Sequence, residues 1–382
     1  MNFNNMKKLL DSMSGRFYPG IDMCIYREHK PIFRYQTGYS DIENQTAVNP
    51  DAQYYLFSCT KPITCVAALQ LVERGELILT EDLSNYLPEF KDILVKENDE
   101  NGNLRFVKPK TPIQIRDLFT MTAGFNYDVE TESFKETIEY TNGKCPTREM
   151  IKAMSKTPLD FHPGEKYQYS LCHDVLGAVI EVISGKTLGR YLYDNIFDPC
   201  EMKNTGFDIT EDIKANMPPM YKYKGIGKFI KVKTHNHLIF GEDSEYESGG
   251  AGLISSVDDY MKFADAMANG GVAANGNRIL SKKMIDVMRS PFVKNEMFNV
   301  DIKRREGYAY GLGVRTFQHS EIGGQLSNIG EFGWDGAASS YVLIDPSEKL
   351  SVFCGESLLN GNNHDAPTRF VNMLYTMLSN EK

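Results

Sequence analysis

The sequence predicts an α+β protein: an antiparallel sheet built from N- and C-terminal strands and flanked by helices, with a mainly helical region inserted between them. Three observations carry this. Strand-like stretches cluster at the two ends, "GIDMCIYREHKPIFRYQTGY" near the start and "YGLGVRTF", "NIGEFGW", "SSYVLID" and "LSVFCGE" after Tyr308. The patterns between them are helical, above all the very apolar run from Ile63 to Val72. No internal repeat, low-complexity tract or clean linker divides the chain, so its 382 residues read as a single unit, 1–382. Within it the α/β part is expected at about 15–85 and 250–382, and the inserted helical and lid region at about 86–249.

Each element follows from local signals. Gly20 to Tyr39 reads as a hairpin turning at Glu28-His29-Lys30-Pro31. In the next helix, Ile63, Cys65, Val66, Ala67, Ala68, Leu69, Leu71 and Val72 point in nearly every direction before Glu73, Arg74 and a stopping Gly75; a helix apolar all round is a buried one. Asn101-Gly102, flanked by Leu104 to Val107, marks a hairpin insertion. Thr111 to Thr122 reads as a short amphipathic helix ending near Gly124, whereas 127–146 is polar with aromatic punctuation and takes no assignment from pattern. Cys172 to Ile183 is helical up to Gly185, 217–247 is a run of loops and short strands, and Asp258 to Met267 is helical up to Gly270-Gly271. A last helix runs from about Ala366 to Leu378.

Composition excludes several function classes. Hydrophobic residues at 41% and charged residues at 24% are those of an ordinary soluble globular protein. A net charge of -9, with no basic cluster interleaved with aromatics, argues against a nucleic-acid partner. Lys7 and Lys8 are followed by no apolar run, so no secretory signal peptide is read, and no apolar run approaches membrane-spanning length. Seven scattered cysteines without a C-x-x-C read as reduced thiols in a cytoplasmic protein. His235-x-His237 lacks a third ligand in a recognisable spacing, so no metal is expected. Gly185-Lys186-Thr187 lacks the glycine of a P-loop, since Ile180 stands in its place, and no G-x-S-x-G is present. Oligomeric state is not legible.

The chemistry is carried by "LFSCTKPITC", Leu56 to Cys65. Residues three apart on a helix are about 60° apart around its axis, so Ser58 and Lys61 point the same way. The first turn of a buried helix lies inside the protein or at the floor of a cleft, where an ammonium is costly without a partner. Burial is expected to lower the Lys61 pKa and let the amine take the Ser58 proton. The free N–H groups of the first turn favour negative charge near Ser58, and Pro62 removes only an N–H that has no intrahelical partner. The bland alternative is a serine N-cap beside a solvated lysine. Cys59 points about 100° or more away from both and reads as packing.

Ser58-x-x-Lys61, then Tyr169-Ser170 ahead of an apolar helix, then "ESGGAGLISSVDDYMKFADAMANGG", "YGLGV" and "GWDGAASSYVLIDP" stand in the order seen in the serine β-lactamase-related family, which the chain resembles over about residues 15 to 378. That family takes in class C β-lactamases, penicillin-binding-protein-like D-alanyl-D-alanine carboxypeptidases, family VIII carboxylesterases and lovastatin-type acyltransferases. The resemblance implies a β-lactamase/transpeptidase-like fold and an acyl-enzyme on Ser58, with Lys61 and Tyr169 as its catalytic partners and no metal or organic cofactor. A phenol beside an ammonium is acidified and can serve as base, then as acid towards the leaving group. The resemblance also implies an oxyanion hole made by the backbone N–H groups of Ser58 and Ala337.

The chain departs from the family pattern at the expected substrate-binding positions. Where the family often has Y-x-N, the third residue is Leu171, which removes an amide that holds a substrate carbonyl. Where β-lactamases have K-T-G, this chain has Trp334-Asp335-Gly336. Asp335 is expected to repel a substrate carboxylate, Gly336 to permit close backbone approach, and Trp334 to pack in the core or wall the pocket. The function expected is a serine hydrolase, a carboxylesterase on small apolar esters, with a small-molecule ester or acyl donor as partner. The alternatives are acyl transfer to a small-molecule alcohol by the same residues, a β-lactamase or D-Ala-D-Ala peptidase, and a non-catalytic binding or sensing module.

Overall fold

The two ends of the chain meet in an eight-stranded antiparallel sheet in the computed structural model, which describes residues 2–233, 240, 244–298, 306–361 and 366–380. The strands lie in the order Tyr308–Tyr310, Arg315–Phe317, Phe332–Asp335, Tyr341–Asp345, Leu350–Gly355, Gly20–Arg27, Lys30–Asp41 and Thr46–Ala47. The seam between the termini is the pairing of Gly20–Arg27 with Leu350–Gly355. The first hairpin closes through Glu28 and His29, both left-handed at φ 52 and 66, the geometry that matches the twist of a two-residue turn.

Alternation along the strands assigns each face of the sheet. Cys24, Phe353, Val342 and Trp334 are register partners and lie on one face, against the large apolar core. Met23, Cys354, Tyr341 and Asp335 form the neighbouring row, which faces the other way. On that second side, helices Asn4–Met13 and Ala366–Ser379 complete a smaller core around Met6, Leu10, Phe370 and Leu374. On the first side, Val257–Ala268 packs on the sheet and the helix Thr60–Glu73 lies deeper, next to Cys172–Ser184. Every residue from Thr60 to Leu71 is buried, as an all-round apolar helix requires.

The structure differs from the expected elements in five of its helices. The amphipathic helix is only Ile115–Phe119, because a capping box between Gln114 and Asp117 fixes its start. The polar stretch contains a helix, Glu132–Tyr140, opened by Thr131, whose side chain accepts from the Phe134 N–H. Helices Asn4–Met13, Thr147–Met154 and Lys282–Met288 also escape the pattern reading: all are short, with a narrow buried stripe on an otherwise polar surface. His235 and His237 lie outside the described residues. Among the described residues no helix is long and apolar enough to cross a membrane.

Candidate active site

Ser58 sits in a three-residue 3-10 helix, Phe57–Cys59, that runs directly into Thr60–Glu73. It does not cap that helix; Cys59 occupies the N-cap position and makes no side-chain cap. Phe57 is left-handed at φ 46, a conformation that a bulky residue holds only where its surroundings enforce it. They do so here. The Leu56 N–H donates to Leu253 O at 2.9 Å, the Leu253 N–H to Thr60 Oγ1 at 3.2 Å, Thr64 Oγ1 to Gly249 O at 2.8 Å, and the Tyr260 hydroxyl to Cys59 O at 2.7 Å.

Lys61 is fully buried, and its three protons have three acceptors: Ser58 Oγ at 3.1 Å, the Tyr127 hydroxyl at 3.0 Å and the Gly250 carbonyl at 2.7 Å. Its ammonium also lies 4.6 Å from the centre of the Tyr169 ring. Burial acts against this charge, but Tyr127 and Tyr169 outweigh it and the Lys61 pKa is raised. This corrects the expectation that burial frees the amine to act as base. In the resting site Lys61 is an ammonium with every donor engaged.

The two tyrosines arrive from separate loops. The Tyr169 hydroxyl accepts from Trp334 Nε1 at 3.1 Å, with the two rings stacked at 5.7 Å. Tyr127 packs on Tyr169 with ring centroids 5.6 Å apart. It leaves 41% of its surface open while its hydroxyl is held at Lys61. Desolvation raises the Tyr127 pKa, and the ammonium opposes it without cancelling it. Sequence reasoning missed Tyr127 altogether. It stands in an irregular loop within the unassigned polar stretch, where no periodicity marks a residue as inward-facing.

Gly336 explains how the third strand approaches the serine. A Cβ there would run into Ser340 Oγ and the Leu56 carbonyl, so only glycine lets the turn lie against the residues leading to Ser58. That turn is closed by Gly336 N–H to Ser340 O at 2.8 Å and Ser339 N–H to Gly336 O at 3.0 Å. Ala337 follows Gly336 in this turn, next to the point where the turn meets the Leu56 carbonyl, two residues before Ser58. Asp335, however, requires a correction: it faces away from Trp334 and is held by Arg315 Nη1 at 2.9 Å on the opposite side of the sheet, so its carboxylate is not aimed at a substrate beside Ser58. Leu171 is 3% exposed and belongs to the large apolar core. Cys59 is buried, its thiol pushed up to about 12 by desolvation, and His173 is buried and held neutral, its pKa lowered to about 3 first by desolvation and then by Lys61.

The Ser248–Leu253 strap is the other part whose role the sequence leaves unstated. Its Gly250 carbonyl holds Lys61, and a Cβ on Gly250 would meet Asp174 Oδ2 and sit 3.5 Å from Lys61 Nζ. Asp174 is buried and accepts from Ser248 Oγ at 2.6 Å and the Tyr246 hydroxyl at 2.9 Å, which puts a carboxylate behind the ammonium. Among the described residues no group of histidine, cysteine and carboxylate side chains is arranged to hold a metal ion.

A family model described as beta-lactamase matches residues 6–375. The chain belongs to the beta-lactamase family. Among its curated relatives, Esterase EstB of Burkholderia gladioli is 27% identical over 354 residues, covering 87% of this chain and 84% of that one. A putative D-alanyl-D-alanine carboxypeptidase of Salmonella typhimurium is 26% identical over 378 residues, covering 92% and 80%. Among solved structures, EstCE1, described as a hydrolase with promiscuous acyltransferase activity, superposes with a TM-score of 0.78 at 22% identity, covering 97% of each chain. The fold is thus the β-lactamase/transpeptidase-like one, and the chain is a member of a family of serine hydrolases and acyltransferases.

Proposed function

We propose that this beta-lactamase-family chain is a carboxylesterase that acts through an acyl-enzyme on Ser58. The observation that carries this is the convergence of Ser58, Tyr127 and the Tyr169 ring on one buried ammonium, with the Trp334 N–H as the further donor at Tyr169. Because the Lys61 protons are all engaged, the base in this proposal is a tyrosine oxygen in phenolate form, its own proton given up to solvent and its charge held by the Lys61 ammonium and, at Tyr169, by the Trp334 N–H; it takes up the Ser58 proton as Ser58 Oγ attacks the ester carbonyl and becomes a neutral phenol. The Ser58 and Ala337 N–H groups receive the oxyanion, the same phenol returns the proton to the leaving alcohol, and water then releases the acyl group.

A neutral ester is favoured over a peptide or β-lactam because, among the described residues, Lys61 is the one cation in this cluster and has no donor left for a carboxylate. Arg315, on the far side of the strand, is committed to Asp335. The names of two relatives, an esterase and a hydrolase with promiscuous acyltransferase activity, point the same way, and the second supports acyl transfer to an alcohol as the companion reading. A small-molecule ester as partner and a cytoplasmic setting belong to the same proposal; all seven cysteines are free and buried. The test is turnover of p-nitrophenyl butyrate, benzylpenicillin and a D-Ala-D-Ala peptide by one preparation, with and without added alcohol. Ester turnover exceeding the other two is expected, and alcohol-stimulated release would mark transfer. Preference for the penicillin or the peptide would overturn the esterase assignment.

A further inference from the structure

One carboxylate outside the catalytic cluster ties together the loops that carry its two phenols. Asp160 Oδ2 accepts from Asn126 Nδ2 at 2.9 Å and from Gln168 Nε2 at 2.8 Å, while Oδ1 accepts from Lys96 Nζ at 2.7 Å. Asn126 immediately precedes Tyr127, and Gln168 immediately precedes Tyr169. In irregular or extended backbone successive side chains diverge, so an anchor on one residue fixes the direction in which the next points. We propose that Asp160 is a positioning residue that sets where Tyr127 and Tyr169 stand relative to Lys61, acting through Asn126 and Gln168.

The backbone supports the same join. The Asp160 N–H donates to Gly124 O at 2.8 Å, the Gln168 N–H to Met121 O at 2.9 Å, and the Leu171 N–H to Asn126 O at 3.3 Å. Gly124, left-handed at φ 90, lies so close to the second loop that a Cβ would strike the Phe161 carbonyl. These backbone bonds hold the loops side by side, and the Gln168 side chain also donates to Phe125 O at 3.1 Å, but among the described residues Asp160 is the side chain that takes a bond from the residue before each phenol. A carboxylate suits that place because it accepts on both oxygens and donates from neither. Burial acts against the Asp160 charge, and the bonds from Lys96, Gln168 and Asn126 outweigh it, so its pKa is lowered. An asparagine of the same shape has to turn an NH2 group towards donors.

This inference rests on the assignment of the two tyrosines as proton-transfer groups, so the test carries one readout that needs no catalysis. The chain has a single tryptophan, Trp334, whose N–H bonds to the Tyr169 hydroxyl, and its emission therefore reports the place of Tyr169. Asp160→Asn is compared with the wild type in three ways: single-turnover acylation by p-nitrophenyl butyrate and by a fluorophosphonate, steady-state kcat and KM for the ester, and Trp334 emission, with thermal melting as the control. The expected result is a folded variant in which acylation falls about 10²-fold, KM moves little, and Trp334 emission shifts. Adding Asn126→Ala to Asp160→Asn should cost little more, since both act through one oxygen. Wild-type acylation together with unshifted emission overturns the proposal. If Asp160→Asn fails to fold, the Asn126→Ala, Gln168→Ala double variant, which keeps the carboxylate and the backbone bonds, decides on the same criteria. If the wild type takes neither ester nor fluorophosphonate, the catalytic assignment fails, and the emission alone decides whether Asp160 places Tyr169.

Discussion

Lys61 has three protons and three acceptors, and that count governs what its neighbours do. Lys61→Met keeps most of the volume and removes the charge on which Ser58 and both phenols converge, so acylation should fall about 10²- to 10⁴-fold in single-turnover measurements. Tyr127→Phe removes one acceptor and one phenol and should fall by a smaller factor, about 10- to 10²-fold, with KM little changed. The pH dependence follows from the sign of the Lys61 shift. Its folded pKa lies above the unfolded value of 10.5, so the stabilisation from its charge is complete below pH 10.5 and is lost only as the pH rises through the raised value. A profile of kcat/KM should therefore show no alkaline loss below about pH 10 that Lys61→Arg abolishes. The Ser58–Lys61 pair was legible in the sequence because helical spacing fixes it. Tyr127 was not, since nothing in a loop sequence says which aromatic turns inward.

At the scale of elements, the site depends on how closely the strand Phe332–Asp335 and its turn approach the start of the helix Thr60–Glu73. Gly336→Ala drives a methyl into Ser340 and the Leu56 carbonyl, which shifts the turn carrying Ala337, the second donor of the proposed oxyanion hole. Acylation should fall about 10²- to 10³-fold, as for loss of one oxyanion donor, with a stability loss of about 1–3 kcal/mol read from urea unfolding. Strand alternation puts the consecutive Trp334 and Asp335 on opposite sides of the sheet, and the expectation that both line the substrate site overlooked it. What the sequence withheld was which side holds the serine, because that depends on the sheet's placement between two helical layers. The buried helix and the C-terminal strands were readable from unbroken apolar runs. Thr147–Met154 and Lys282–Met288 were not, since eight or fewer residues give too few turns to display a period.

For the molecule as a whole, the termini close one sheet around a buried ionic cluster on the side away from the serine. Arg315 is fully buried, bonds Asp335 at 2.9 Å and the Val342 carbonyl at 2.8 Å, stands 3.8 Å from Glu331, and lies over the Tyr341 ring at 4.6 Å. Arg315→Met leaves the Asp335 and Glu331 carboxylates without their cation and should destabilise the fold by about 3–5 kcal/mol in denaturant unfolding at neutral pH. The sheet so held carries the turn that faces Ser58, which joins global stability to the acylation chemistry. The most direct measurement of that chemistry is intact-protein mass spectrometry of wild type and Ser58→Ala, acid-quenched after mixing with p-nitrophenyl butyrate and followed by peptide mapping. One butyryl group on Ser58 of the wild type and none on the variant is the predicted result. An equal adduct on Ser58→Ala, or an acyl group mapped to another residue, would contradict Ser58 as the nucleophile.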